Sequence, residues 1–268
     1  MKKMYKILLS VLVSQLLFTA SWAQSEAKSD KKTTNESPIN INTANLPADN
    51  NNLVVTLKSN GTSSECHLDD NYSGDEEKYV NVKVYAAPMS AKNNLTLNGT
   101  TYTFLQCHFH LQSEHTLNKK AEDMEAHFVF QDTVTKGLVV IGVFMKKGGK
   151  DNSFFATVLT QFEDLLDPKK SDNSHGSDFT INLNKLDGNT SLTDYAGTYY
   201  NYDGSLTTPP FTKGVQWFVS QKKMSISNSQ YTQFKQFRYK YSSGKKYPIG
   251  YARHVQPLGN RTVTSKTK

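Results

Sequence analysis

The chain has 268 residues, 37% of them hydrophobic and 21% charged, with a formal net charge of +7 and two cysteines. That length suits one large domain with a real core and excludes a small module stapled by disulfides. Basic residues are scattered among acids, as in Lys119-Lys120-Ala121-Glu122-Asp123. No basic stripe interleaved with aromatics is present, which argues against a nucleic-acid partner.

Met1 to Ala23 reads as a signal peptide. Lys2, Lys3 and Lys6 form a basic start, Ile7 to Ala20 is mostly apolar, and Ser21-Trp22-Ala23 ends in small residues suited to cleavage. The apolar run is shorter than the roughly 20 residues of a membrane span, so the expectation is an exported chain, periplasmic or secreted, with no span after signal removal. Setting those three lysines aside leaves a charge of +4. Residues 24–35 are a polar, flexible lead-in, residues 36–262 one domain, and residues 263–268 a polar tail.

Within the domain, short alternating or apolar runs are separated by turn residues. They are Leu53 to Leu57, Tyr79 to Tyr85, Leu95 to Leu97, Tyr102 to Leu111, Ala126 to Gln131, Leu138 to Met145 and Val215 to Val219. Asn60-Gly61, Asn98-Gly99 and Lys147-Gly148-Gly149 supply turns. Helices are expected over Ser153 to Leu166 and Ser227 to Arg238. The pattern is mainly β, a large mixed sheet with a few peripheral helices.

Cys66 and Cys107 stand in a chain expected to leave the cytoplasm, where a pair can be oxidised. Sequence alone leaves their separation open.

In a strand from Tyr102 to Leu111, Gln106, His108 and His110 share one face, and Cys107, Phe109 and Leu111 the other. Glu125 and His127 alternate in the same way on the next run. Three neutral imidazoles with the fourth tetrahedral position open make a catalytic zinc set. Gln106 and Glu125 each stand two residues before a proposed ligand, where they can accept its outer ring proton. The structural alternative is a pair of histidines on the polar face of a half-exposed strand.

Further motifs follow in order: Ser37-Pro38-Ile39, His108-Phe109-His110, Ser113-Glu114-His115-Thr116, Glu125-Ala126-His127, Gly204-Ser205-Leu206-Thr207-Thr208-Pro209-Pro210, and Gln256-Pro257-Leu258-Gly259-Asn260-Arg261. Together, from about Glu36 to Arg261, these resemble the α-class carbonic anhydrases. The short link between His110 and Ser113 is similar to the bacterial, exported branch. The resemblance implies a large central mixed, mostly antiparallel twisted sheet, and reversible hydration of carbon dioxide to bicarbonate and a proton by zinc-bound hydroxide. It implies His108, His110 and His127 as the Zn2+ ligands, supported by Gln106, Glu125 and His115. Thr207 and Glu114 match the pair that orients the hydroxide. Thr208 matches the neighbour on the bicarbonate side, while Val129, Val140, Leu206 and Trp217 match the apolar wall for carbon dioxide. Taken singly, those four are ordinary core residues.

The chain departs from the family pattern at several points. A polar lead-in precedes Ser37, where the family carries Trp-X-Tyr-X-Gly. Phe211 replaces a cysteine that secreted members often have after Thr-Thr-Pro-Pro, so a Cys66–Cys107 bridge would be a different disulfide. Lys78 stands where the family's proton-shuttling histidine is found, leaving His67 and His175 as substitutes. Ser59 to Glu76 reads as an insertion. Two other classes remain in view. One is a non-catalytic zinc- or ligand-binding relative on the same fold. The other is a cupin-type metal enzyme, whose first motif His108-X-His110 with Glu114 satisfies but whose second, Pro-X-Gly-X-X-His, is absent around His127.

Overall fold

The computed structural model describes residues 35–267, except 60, 70–80, 87–92, 166–178 and 242–249. The segment expected to be a signal peptide and most of the lead-in therefore lie outside the described residues, as do Lys78 and His175. Strands run β1 (Asn40–Ile41), β2 (Leu53–Thr56), β3 (Thr62–Asp69), β4 (Asn81–Ala86), β5 (Asn94–Leu97), β6 (Thr100–His110), β7 (Thr116–Leu117) and β8 (Lys120–Ala121). After these come β9 (Met124–Gln131), β10 (Leu138–Lys147), helix α1 (Ser153–Leu165), β11 (Phe179–Ile181), the short helix α2 (Leu192–Tyr195) and β12 (Tyr199–Ser205). The chain closes with β13 (Lys213–Ser220), β14 (Met224–Ile226), helix α3 (Asn228–Tyr241) and β15 (Thr264–Lys266).

One sheet dominates, with strand order β11-β3-β4-β6-β9-β10-β13-β12-β15, while β14 joins at β10, and β2 joins through β5 at β6. Pairing is antiparallel along that path except at β10 with β13; β14 is also parallel to β10. The expected mixed, mostly antiparallel sheet is what forms. Its central strands are buried on both faces, so β9 and β10 show little exposed alternation.

One face carries Cys107, Phe109, Ala126, Phe128, Phe130, Ile141 and Phe218, covered by α1 and α3. Helix α1 offers Phe154, Phe155, Val158, Leu159 and Phe162 at helical spacing. Asn152 caps it, its Oδ1 accepting the Phe155 N–H at 2.9 Å, and the Asn152 N–H donates to Gln230 Oε1 of α3, which ties the two helices together. The opposite face gathers Val129, Val140, Tyr202, Val215 and Trp217.

Two readings need correction. The alternation in β6 holds from Gln106 onward but not before, because a bulge between Phe104 and Gln106 shifts the register; Phe104 consequently joins the same core as Cys107 and Phe109, and Leu105 turns to the other face. The polar tail expected from residue 263 onward begins inside the domain: Val263 is buried and Thr264–Lys266 pair with β12. The question of a Cys66–Cys107 bridge, open in the sequence, is answered by the register, since Val84 of β4 pairs with both residues and so stands between them. Two strand spacings, about 10 Å, exceed the roughly 7 Å over which Cα atoms can be bridged. The apparent insertion also contributes β3 to the main sheet.

Phe109 is buried where the sheet meets the helices, with ring centroids 5.1 Å from Phe155, 6.3 Å from Phe162 and 6.5 Å from Phe234. Phe109→Ala should lower unfolding free energy by about 3–5 kcal/mol, read as a fall in the urea midpoint with an unchanged slope.

Candidate metal centre

The site follows from two adjacent rows across the sheet. His108 of β6 pairs directly with His127 of β9, which pairs with Gly142 of β10. One step along, Gln106 pairs with Val129, Val129 with Val140, and Val140 with Trp217 of β13. The first row carries imidazoles and the second the apolar wall. His110, two residues beyond His108, completes the group on the same face.

The three rings are buried and mutually close, with centroid separations of 5.0 Å for His108–His110, 5.1 Å for His108–His127 and 4.6 Å for His110–His127. Each has one nitrogen turned to an acceptor. His108 Nδ1 donates to Gln106 Oε1 at 2.8 Å, His110 Nδ1 donates to the Tyr251 carbonyl at 2.7 Å, and His127 Nε2 lies 3.1 Å from Glu125 Oε1. The first two acceptors fix a ring proton on the outside, while His127 Nε2 lies close to Glu125 Oε1 without completing a hydrogen bond. The remaining nitrogens, His108 Nε2, His110 Nε2 and His127 Nδ1, turn lone pairs toward a common point, the first and last being 3.3 Å apart. His110 Nε2 is buried without a hydrogen-bond partner. Neutral nitrogens gathered in this way, within 4.8 Å of one another, are a donor set for a metal ion. Burial pushes all three imidazoles below their ordinary pKa, His110 to about 4, keeping them neutral as ligands must be.

Glu125 lies at the centre of the supporting bonds. Its Oε2 accepts the backbone N–H groups of Glu114 and His115, both at 2.9 Å, and its Oε1 accepts His115 Nδ1–H at 2.7 Å. Burial opposes its ionisation, but the electrostatic pull and hydrogen bonding of His115 and His127 outweigh this and hold the carboxyl well below its usual range. Gly142 makes the packing feasible: a Cβ there would stand 2.9 Å from Glu125 Oε1.

His115 in turn leads outward. Its Nε2 accepts from the Tyr202 hydroxyl at 2.6 Å, which accepts from Ser37 Oγ at 2.8 Å, which accepts the Ser205 N–H at 3.1 Å. Burial raises the Tyr202 phenol well above its ordinary pKa, so it stays a donor. The Ser-Pro-Ile and Gly-Ser-Leu-Thr motifs thus meet behind the rings. Gly204 permits this, since a Cβ there would collide with Ser37 Oγ and with the Trp217 and Tyr202 rings.

Glu114 is buried beside the rings, its Oε2 3.5 Å from His110 Nε2 and without a hydrogen-bond partner. Its Oε1 accepts the Arg253 N–H at 2.9 Å. Burial lifts the carboxyl to about 7, opposed by His127, by the Arg253 N–H and by the Thr207 side chain. Thr207 and Thr208 line a cavity of about 160 Å³ with Gln106, His108, His127, Val129, Val140, Leu206 and Trp217. Every expected wall residue is there.

Several contributors carried no sequence signal, notably the Tyr251 carbonyl, the Arg253 N–H and Gly142. Lys83 and Tyr85 of β4 also line the cavity. Of the expected proton carriers, only His67 falls in a described strand, where it pairs with Lys83.

The arrangement of rings, backing acceptors and apolar row agrees with a direct comparison. A family model of eukaryotic-type carbonic anhydrase matches residues 18–267. The chain belongs to the α-carbonic anhydrase family. It is 28% identical over 229 residues to a carbonic anhydrase of Pectobacterium carotovorum, covering 85% of this chain and 79% of that one. A carbonic anhydrase of Dunaliella salina is 29% identical over 244 residues, 86% of this chain, which spans only 40% of that relative's length. The solved α-carbonic anhydrase of Photobacterium profundum superposes with a TM-score of 0.63 at 26% identity, over 87% of this chain and 90% of that one. Membership leaves no place for the cupin reading.

Removing the Tyr202 hydroxyl would orphan the buried His115 Nε2. Tyr202→Phe should therefore cost about 1–3 kcal/mol, measured by chemical unfolding of the metal-free protein.

Proposed function

We propose that the protein is a zinc enzyme that catalyses reversible hydration of carbon dioxide to bicarbonate and a proton. The observation that carries this reading is the convergence of three imidazole lone pairs beside both a threonine–carboxylate pair and an apolar wall. Zinc held by three neutral ligands supplies the nucleophile, because its uncompensated charge lowers the pKa of a bound water from near 16 to about 7.

The chain's own residues supply orientation. Gln106 and Tyr251 hold the rings of His108 and His110 in the required tautomers, and Glu125 stands 3.1 Å from His127 Nε2, where an anion favours a proton on that nitrogen. An ionised Glu114 can only accept, so the Thr207 hydrogen is committed to it and only Thr207 lone pairs face the attacking oxygen. A cation at the three rings favours that ionised form of Glu114. The attacking oxygen must then donate to Thr207, which aims its own lone pair at carbon.

Carbon dioxide is apolar and offers little to hydrogen-bond. Val129, Val140, Leu206 and Trp217 accept it without competing donors, while Thr208 offers a hydroxyl to the charged product. Bicarbonate gains nothing from the apolar wall, and water displaces it.

Export to the periplasm or the exterior is part of the proposal and rests on the Lys-rich, apolar first 23 residues. Among the described residues, no helix is long and apolar enough to cross a membrane. The non-catalytic alternative loses ground because Thr207, Glu114 and all three imidazoles are present together.

Elemental analysis of purified protein should find about one zinc per chain, and His108→Ala, His110→Ala or His127→Ala should each greatly lower both zinc content and stopped-flow hydration rate. Full zinc in His127→Ala would eliminate the site. Thr207→Ala should keep its zinc yet lose on the order of 10² in kcat/KM, the usual scale for a positioned hydrogen-bonding group. Undiminished hydration by that folded, zinc-loaded variant would overturn the assigned orientation.

A further inference from the structure

Arg253 touches three separate parts of the chain, at Glu114, at Glu36-Ser37 and at Phe211. Its backbone N–H donates to Glu114 Oε1 at 2.9 Å. Its guanidinium donates to the Ser37 carbonyl at 2.6 Å and to Glu36 Oε2 at 2.5 Å, and its central carbon lies 3.7 Å from the centre of the Phe211 ring. Side-chain exposure is low on both sides of the ion pair, 13% for Arg253 and 21% for Glu36, so these bonds are partly shielded from solvent screening.

Phe211 closes the loop that carries Thr207. The loop is pinned by the Leu206 N–H to the Thr212 carbonyl and by the Phe211 N–H to the Thr208 carbonyl, both at 2.9 Å. Phe211 sits at a φ of 56°, a left-handed conformation that disfavours a bulky side chain. A cation stacked on its ring, attractive by about 0.5–2 kcal/mol, holds the residue there. The flat, forked guanidinium can stack on a ring and bond two oxygens in its plane together, a combination lysine cannot reproduce.

We infer that Arg253 is a positioning residue for the hydration reaction: its side chain, gripped by Glu36, Ser37 and Phe211, sets both its own N–H on Glu114 and the loop holding Thr207. This inference rests on the proposed function for its kinetic part only. Thr207 and Glu114 come from different segments, and a single side-chain contact joins them directly. Arg253 joins the two through one side chain and one backbone donor, and Glu36 and Ser37 anchor that side chain from behind.

The test uses Phe211→Leu, which removes the ring face and keeps an apolar side chain, with Glu36→Gln and Arg253→Lys as companions. Zinc content by elemental analysis should stay at the wild-type level in all three. With Phe211→Leu, kcat/KM for carbon dioxide should fall about 10- to 100-fold, the scale of a small misplacement at a reacting centre. Combined with Thr207→Ala, the same substitution should cost almost nothing more, because the group it positions is already gone. Arg253→Lys should recover only part of the activity lost in Arg253→Met. Equal losses in the wild-type and Thr207→Ala backgrounds, or wild-type rates in Phe211→Leu, would overturn the inference. A second readout does not require hydration at all. Amide exchange at Arg253 in the metal-free protein should accelerate in Phe211→Leu and Glu36→Gln while the β6 and β9 amides keep their protection. Unaltered exchange at Arg253 would refute the clamp even if the protein proved inactive toward carbon dioxide, and a wild-type protein without hydration activity but with the exchange effect would overturn only the proposed function.

Discussion

A carboxylate sealed from water is the constraint around which the centre is assembled. Glu125 is 0% exposed, and an unpaired anion in that position would cost several kcal/mol. It is satisfied by two backbone N–H groups from the segment after β6, by the His115 ring and by the approach of His127. Those requirements bend the chain after His110 back over β9, which is what brings Glu114 to the rings. Ser113 secures the bend, its Oγ donating to the His115 carbonyl at 2.7 Å and accepting the Glu122 N–H at 2.9 Å. Space for the anion comes from the absent side chain at Gly142.

The polar and apolar halves of the centre have a common origin in strand register. A sheet brings residues into rows, and two neighbouring rows on the same face lie one pleat apart. Here one row ends in ring nitrogens and the next in Val129, Val140 and Trp217. A one-residue slip between β6 and β9 would turn His127 toward the aromatic core beneath α1. The dense packing of Phe128 and Phe130 on that opposite face therefore guards the chemistry as much as it guards stability.

Much of this was legible in the residues because side-chain alternation reports face directly. His108, His110 and His127, with Gln106 and Glu125 behind them, were readable as a set for that reason, and the helices and main strands followed their apolar spacing. What escaped notice has a physical explanation in each instance. The Tyr251 carbonyl and the Arg253 N–H are backbone atoms, which any residue could have supplied. Gly142 acts through missing volume, and a glycine in a strand has several ordinary explanations. Strand β15 is Thr-Ser-Lys, whose polar side chains give no hint that its backbone completes a sheet edge. Cys66 and Cys107 became interpretable only when the register interposed Val84. The bulge at Leu105 reverses faces within β6, and no pattern of apolar residues announced it.

The bonds that run from Ser205 through Ser37, Tyr202 and His115 to Glu125 all point the same way. Each hydroxyl or ring receives a hydrogen on one side and gives one on the other, so the dipoles add and strengthen one another. The negative charge on Glu125 is thereby steadied by a file of neutral groups. Ser37 and Ser205 are 168 positions apart in the chain, yet together they end the file of bonds that begins at the His115 nitrogen left unprotonated by Glu125. A serine near the start of the domain thus belongs to the electrical surroundings of the three imidazoles without touching any of them, and its meeting with a strand far along the chain bears on the charge at the middle of the fold.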